Sequence, residues 1–457
     1  MHKYIWYTAL LTLFLATGIV NTGFAESSNS DWLRKAAEPY KGKTVYVISA
    51  NNLYMQGMKE QIPDFEKITG IKVVPDVLGE NIAAQKINVE LAGSTGAYDA
   101  IWGMSSDYFQ YAKLKWILPL DPFVKKSAIT NKQILNKNDF IKSLYDAGVI
   151  DNKTYAIPSF AATTMLYYRT DVFAKLGIKG PPKTIDDIVA ASKKIKSSNL
   201  DMAAIGLRGA PGSAINVWIW PSFLHAMGGD FVKHYPTNMT PTLNSPQAIK
   251  AAETYASLLK DYSIPGASTA NFDEIVREFV EGRLAMMIEG APQATKVFNP
   301  AFSKVIGKVG FGYVPSGPKG THPGFQAQGW MIPSAAKNQE AAWLFIQWAT
   351  SRDVMLKASL QTSYSAVPRL SIWNNPDFVK KYSLGGTDYL KIYLDSLKLA
   401  KLDFRPPIPE YGKVCDIVGF ALNKVSVGET TAQKALSDAN REIYEILKKA
   451  GYPVDKN

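Results

Sequence analysis

Cysteine is nearly missing from this 457-residue chain, where Cys415 is the only one. That excludes an internal disulfide framework, a CxxC redox pair and a thiolate zinc site, and no cysteine follows the N-terminal apolar run to take a lipid. Cys415 itself, close to Val414, Ile417 and Val418, reads as a small buried apolar residue. Histidine is almost as scarce. His2, His225, His234 and His322 are the four present; no two have metal-ligand spacing, so each reads as a surface or capping residue and no metal site is expected. Catalytic signatures are missing as well: there is no GxSxG elbow, no HExxH helix and no GxxxxGKS/T phosphate loop. Gly310-Phe311-Gly312 lacks the third glycine of a dinucleotide loop. No cofactor is expected. Beyond the N-terminus no apolar run approaches the length of a membrane span, and there is no internal repeat or low-complexity segment.

What is present begins with the N-terminus. Lys3 precedes an apolar run from Ile5 to Val20, then Gly23-Phe24-Ala25, then the acidic, serine-rich stretch Glu26 to Asp31. This is the order of a secretory signal, with small residues at the cut, and it predicts cleavage after Ala25. The run is shorter than the roughly 20 residues of a span; an uncleaved anchor is the alternative. A free periplasmic protein without a lipid anchor is the expectation. The net charge is +11. Its lysines are scattered over helix faces (Lys193, Lys194, Lys196; Lys448, Lys449) rather than gathered in a block with interleaved aromatics. A solvated exterior is therefore expected, and no nucleic-acid partner.

Along the chain, a polar leader to Lys43 gives way to a β-α-β-α-β pattern. Thr44 to Ser49 reads as a strand; Met55, Met58, Ile62, Phe65 and Ile68 recur at helical spacing, with Gly70 as the stop. Ile71 to Val77 is the next strand, Asn81 a candidate cap for the helix carrying Ile82, Ile87 and Leu91, and Tyr98 to Trp102 the third strand. Alternation of this kind predicts a parallel sheet with helices on both faces, and ligands bind such sheets beyond the carboxyl ends of strands. Asn51-Asn52 and Met104-Ser105-Ser106 fall on that edge. The stretch Tyr155 to Phe173 is expected to turn at Pro158, run extended through Thr163 to Tyr168, and enter a helix capped by Thr170 or Asp171. It leaves one unit and enters another, which marks a crossover between lobes. Thr184 with Asp187, Ser245-Pro246, and Asn271 with Glu274 are three helix starts. Leu284 to Ile288 is a strand, and the Gly- and Pro-rich segment from Gly310 to Gly329 reads as loop.

Aromatics beside neutral polar groups in loops are the chemistry that stands out. Sugars need flat rings for their C–H faces and amides, carboxylates or Arg for their hydroxyls. Three places qualify: RGAPGSAINVWIW from Arg208 to Trp220, Glu289-Gly290-Ala291-Pro292 at a strand end, and FQAQGW from Phe325 to Trp330. Trp218 and Trp220 share one face of a strand or diverge on a helix, and either can be core. Trp343 and Trp348 read as core, while Trp330 divides evenly between core and cleft.

Six stretches, YAIPSFAATTMLYYRTDVFAKLGI, IGLRGAPGS, LNSPQAIKAAETYASLL, FVEGRLAMMIEG, WMIPSAAKNQEAAWLFIQWATS and FRPPIPEYGKVCDIVGFALNKV, resemble in order and spacing the extracellular solute-binding proteins of family 1, most closely their sorbitol/mannitol branch. The resemblance implies an α/β, two-lobed periplasmic binding protein fold of type II, each lobe a mainly parallel sheet flanked by helices, with the ligand cleft between them and closure by a hinge. It implies a signal peptide at 1–25, an N-terminal lobe of 26–157 plus 328–351, and a C-terminal lobe of 158–327 plus 352–457. The crossings would lie near Ile157 to Ser159 and Ala327 to Met331, with a return after Ser351. The family's ligand contacts fall on Asn51, Asn52, Ser105, Thr163, Arg208, Trp218, Glu289, Gln328, Trp330 and Tyr364. Many sugar-binding relatives have a carboxylate on the crossover where this chain has Ala162. The implied function is a monomeric, non-enzymatic binding protein that presents a neutral sugar or polyol to a membrane ABC permease. The alternatives are an anionic ligand such as a sugar phosphate or sugar acid, which would need Arg208 and a lysine to converge, and a secreted carbohydrate-active enzyme.

Overall fold

The computed structural model describes residues 23–455 apart from 213, 214, 302 and 385. Most of the expected signal segment, residues 1–22, lies outside the described residues. A helix spans Gly23–Ala37, across the expected cleavage point and through much of what reads as a polar leader. Its signal in the sequence is short: among its residues whose burial is described, Leu33, Ala36 and Ala37 are the buried ones. No helix among the described residues is long and apolar enough to cross a membrane.

The main sheet has eight strands: β1 (Thr44–Ala50), β2 (Lys72–Leu78), β3 (Ala100–Met104), β4 (Ile157–Arg169), β5 (Ala203–Gly206), β6 (Leu284–Gly290), β7 (Val309–Gly312) and β8 (Phe325–Met331). Their order is β2-β1-β3-β8-β4-β6-β5, with β7 also paired to β4. β1 pairs in parallel with β2 and β3, and β5 in parallel with β6. The joining strands run the other way. β8 is antiparallel to β3 and to the first half of β4, and β4 is antiparallel to β6 and β7 along its second half. Two parallel sheets, each covered by helices, are thus stitched into one by β4 and β8.

Several local expectations change for physical reasons. The helix expected from Met55 to Ile68 is two, Leu53–Lys59 and Ile62–Thr69, because Pro63 near the start of the second has no N–H to continue the first. Gly70 ends it in the left-handed conformation, φ 67°. Asn81 does not cap: the helix starts at Glu80 behind Gly79. Pro158 makes no turn but lies inside β4 opposite Gly329, at an irregularity in the ladder where no strand N–H is required. There the strands approach so closely that a Cβ on Gly329 would sit 2.5 Å from the Ile157 carbonyl oxygen. Neither Thr170 nor Asp171 caps the helix after β4; Arg169 holds the cap position, and its Nε and Nη2 donate to the Asp171 carboxylate at 2.8 and 2.6 Å. The segment read as loop from Gly310 contains β7 and most of β8. The capping boxes at Thr184/Asp187 and Asn271/Glu274 and the Ser245 cap form as their sequences predict.

Two cores organise the molecule. One gathers Val47, Phe65, Trp102, Trp330, Trp343 and Phe345, while the other gathers Ile188, Trp220, Leu224, Leu258, Val418 and Leu436. Residues 352–399 depart from the boundary expected for them. Met355, Ala358, Trp373, Tyr389 and Tyr393 pack into the first core, and the helix Arg352–Gln361 lies on Leu53–Lys59. Within 352–457 the chain passes from the first core to the second between Leu397 and Ile408, whereas the expected return lies after Ser351. A long amphipathic run cannot announce which of two apolar cores it will join.

Gly57 is where those two helices touch, since a Cβ there would lie 2.8 Å from the backbone of Ala358. Gly57→Ala is therefore expected to lower stability by about 1–3 kcal/mol through overpacking, measured by urea unfolding. An unchanged midpoint would mean that the helix Arg352–Gln361 is not seated there.

Candidate ligand-binding cleft

On one side, the cleft is built from the carboxyl ends of three parallel strands. β1 delivers Asn51 and Asn52. Asn52 caps the next helix by accepting the Met55 N–H at 2.8 Å, and its Nδ2 donates to Gln328 Oε1 at 3.2 Å. The indole N–H of Trp102 donates to the same oxygen at 3.1 Å. Gln328 is thereby fixed on β8 with its oxygen doubly used, while its amide nitrogen has no partner among the described residues. Asn51 is exposed and accepts from Gln56. β3 delivers Ser105, whose Oγ accepts the Ala327 N–H at 3.2 Å. So Asn52, Ser105 and Gln328, far apart in sequence, meet at one edge.

Across the cleft, β5 leads to Arg208 and β6 ends at Glu289. Arg208 Nε and Nη2 donate to the two Glu289 oxygens at 2.6 and 2.5 Å, a bidentate pair. Phe272 lies 5.3 Å under the guanidinium, and the Tyr255 hydroxyl donates to the Arg208 carbonyl. Glu289 is wholly buried and also accepts the Gly290 N–H. Its oxygens serve Arg208 and its own strand end, so it is the counter-ion of Arg208. Trp218 lies on the helix Asn216–Ala226, which settles its geometry, and the Arg405 guanidinium covers its ring at 5.1 Å. Thr163, midway along β4 opposite Phe325, is buried with its hydroxyl unpartnered among the described residues.

A cavity of about 260 Å³ opens here, walled by Ser105, Phe109, Tyr235, Phe325, Arg405 and Tyr411 among others. Of the ten sequence candidates only Ser105 lines it directly. The sequence reading missed Asp146, Asp151 and Arg405, which line it, and Glu80 and Asp107, which follow the strand ends nearby. Burial pushes the Asp107 carboxyl up to about 6, against a hydrogen bond from Ser106, one from the backbone and the opposing charge of Arg405. Glu80 reaches solvent yet is hemmed in by protein; that desolvation raises its carboxyl, Arg208 lowers it and Asp107 raises it further. Charges from both lobes therefore sense one another across the gap. A signal for two of these existed: Glu80 follows β2 and Asp107 follows β3, on the same edge that singled out Asn51 and Ser105. Arg405 had none, since the return between lobes was expected after Ser351.

Two of the other nine candidates lie inside the first core. Trp330 has no exposed surface; its indole N–H donates to the Tyr54 hydroxyl at 3.1 Å and its ring meets Phe345 edge-on at 5.6 Å. Tyr364 is equally buried, stacked near Tyr54 and Phe160, and its hydroxyl donates to the Ser159 carbonyl. Both brace the crossing strands from within. Among the described residues no cluster of three potential metal ligands exists.

A ligand-sized pocket between two α/β lobes, at the carboxyl edges of their parallel strands and bounded by three crossings, defines a type II periplasmic binding protein. The chain belongs to the bacterial extracellular solute-binding protein family, whose sequence model matches residues 49–356. It is similar to an ABC transporter solute-binding protein of Agrobacterium vitis S4, solved with bound D-mannitol: 29% identity, TM-score 0.76, covering 90% of this chain and 100% of that one. An Agrobacterium radiobacter K84 solute-binding protein in complex with ribitol matches at 25% identity and TM-score 0.78, over 89% of this chain and 99% of that one. The erythritol/L-threitol-binding protein of Mycolicibacterium smegmatis is 26% identical over 392 residues, 82% of this chain and 79% of that protein.

Removing one member of the buried ion pair leaves a desolvated charge. Glu289→Gln is thus expected to cost about 3–5 kcal/mol in denaturant unfolding; a cost below ~1 kcal/mol would place the pair in solvent. Asp107 has the opposite sign. Its carboxyl titrates higher in the fold than the ordinary value near 4, so its contribution is retained below that value and is lost as pH rises through about 6. Asp107→Asn should therefore stabilise the ligand-free protein by on the order of 1–3 kcal/mol near pH 8 and by much less near pH 4. Equal gains at both pH values would show that Asp107 is solvated.

Proposed function

We propose that this protein binds a neutral polyol or monosaccharide between its lobes and presents it to an ABC permease. The observation that carries this is the charge inventory of the cleft. The charged side chains that line the cavity are Asp146, Asp151 and Arg405, no lysine lines it, Arg208 nearby is matched by Glu289, and Glu80 and Asp107 are further acceptors on the strand ends. Such a lining offers donors and acceptors for hydroxyls and no cationic surplus for a phosphate or carboxylate. The volume of about 260 Å³ falls just below the usual range of small-molecule sites, roughly 300–1,000 Å³, which favours a single polyol or sugar unit over an oligosaccharide. Relatives solved with D-mannitol and ribitol support the same class.

In this reading Asn52, Ser105 and Gln328 bind from the first lobe, and Arg208, Trp218 and the Thr163 hydroxyl from the second lobe and the crossing. Asp107 and Glu80 stand in for the carboxylate that Ala162 lacks. Binding proceeds without turnover. Ligand contacts to both lobes favour the closed state, with β4, β8 and residues 400–410 as the hinge, and the permease reads closure. The mature protein acts as a monomer in the periplasm.

Thermal unfolding with a panel of polyols and monosaccharides tests this. A bound ligand at about 100 times its Kd adds ~2.7 kcal/mol, a rise of several degrees in Tm. A panel in which only sugar phosphates or sugar acids raise Tm would refute a neutral ligand, and product formed from a glycoside would refute binding without turnover.

A further inference from the structure

The connection at residues 400–410 has neither helix nor strand, and its sequence says why. Pro406, Pro407 and Pro409 have no backbone N–H to give to a ladder. The segment is held by its carbonyl oxygens instead. The Tyr235 hydroxyl donates to the Pro407 carbonyl at 3.4 Å, and His225 Nε2 lies 2.9 Å from the Phe404 carbonyl. The stretch fixed between these two points, residues 404–407, is a wall of the ligand cavity. His225 has a second carbonyl at its other nitrogen, because Nδ1 lies 3.2 Å from the Gly229 oxygen. A carbonyl oxygen only accepts, so both ring nitrogens must donate, and a neutral imidazole has a single N–H. The arrangement is complete only for the imidazolium. In a neutral ring one bare nitrogen faces a carbonyl oxygen across 2.9 or 3.2 Å. Because the ring is rigid, repulsion at either nitrogen disturbs the bond at the other.

A small cavity of about 30 Å³ beside the ring is lined by Asp230, His322, Lys401, Asp403 and Phe404 among others. Asp230 belongs to the turn after the His225 helix, Lys401 and Asp403 to the connection itself, and His322 to the loop before β8. Lys319 of that loop lies against Gly228. Burial raises the Asp230 carboxyl, and the His225 charge lowers it. His322, its ring centroid 5.7 Å from that of His225, is held below the ordinary histidine value by burial. Its hydrogen bond to the Lys319 carbonyl opposes that, and the His225 charge adds to it. Of the two adjacent rings, His322 is the one kept neutral and His225 the one with two acceptors. We propose that His225, as the imidazolium, is a positioning residue for the ligand cavity: it holds the wall at 404–407 in the binding geometry, so ligand binds most tightly to the protonated form and more weakly as pH rises. The coupling is reciprocal, so ligand binding draws a proton onto the ring. That this cavity takes the ligand rests on the polyol reading above.

The first measurement needs no ligand. Amide hydrogen exchange of residues 402–405, corrected for the intrinsic pH dependence of exchange, is compared at about pH 5 and about pH 8, either side of the ordinary histidine transition. Wild type should lose protection at the higher pH. His225→Gln, whose amide N–H reaches the same carbonyl without titrating, should be equally protected at both. Equal protection in wild type, or a wild-type response in the variant, would overturn the role. In isothermal titration, D-mannitol affinity should fall roughly three- to tenfold over the same rise in pH, with proton uptake seen by varying the buffer's ionisation enthalpy. In His225→Gln the fall should shrink to whatever Asp107 contributes, since that carboxyl titrates in both proteins. The same fall in both would also overturn the role. A wild type that binds no polyol at either pH would instead overturn the polyol reading, and exchange in the ligand-free protein would still decide the part played by His225.

Discussion

One strand holds the two halves of this protein in a single hydrogen-bonded frame. β4 runs thirteen residues, from Ile157 to Arg169, pairing with β8 along its first half and with β6 and β7 along its second. Neither parallel sheet could be joined to the other by a parallel connection at this place, because a crossover helix would fill the gap where the cavity lies. An antiparallel strand shared by both sheets spans the gap and leaves its end open. The strand is buried almost throughout, and tyrosines secure its carbonyls: Tyr364 reaches Ser159 and Tyr393 reaches Ala161, while Tyr167 points from the strand to Gly290. These hydroxyls satisfy polar groups away from the regular ladder, which is why such large side chains are buried with an oxygen at the tip.

From that frame the cleft follows. The carboxyl ends of β1, β2 and β3 face those of β5 and β6, so each strand end contributes one or two polar side chains to a common space. Its electrostatics divide in two. Arg208 and Glu289 neutralise each other in a buried, bidentate pair, which shapes the wall and leaves little net charge. Asp107, Glu80 and Arg405 are less completely matched and sense one another across the gap. The space therefore presents both hydrogen-bond donors and acceptors, the two roles a hydroxyl can meet at once.

Capping boxes, the Ser245-Pro246 helix start, the strands and the crossover at Tyr155 to Phe173 were legible in the sequence because each depends on neighbours a few residues away. Of the three local failures, Pro158 was overridden by a distant partner, the bulge opposite Gly329, whereas the helix near Asn81 simply starts one residue earlier behind Gly79 and Asp171 pairs with Arg169 two residues away. The cleft was half legible. Asn52, Ser105 and Gln328 lie where strand order places them, and Glu80 and Asp107 sit on the same edge.

By itself the sequence determined the alternation of strands and helices, the family, and a cleft edge rich in neutral polar groups, since short-range hydrogen bonding and apolar periodicity are written in adjacent residues. Only the tertiary structure decided which rings reach the ligand. Trp330 and Trp218 lie in similar polar-aromatic stretches, yet one donates its N–H to Tyr54 inside the core and the other carries Arg405 at the cavity wall. Likewise Glu289 became the counter-ion of Arg208, and residues 352–399 packed with the first core. Each outcome depends on which distant surface a side chain meets when the cores close, and that pairing has no local signature.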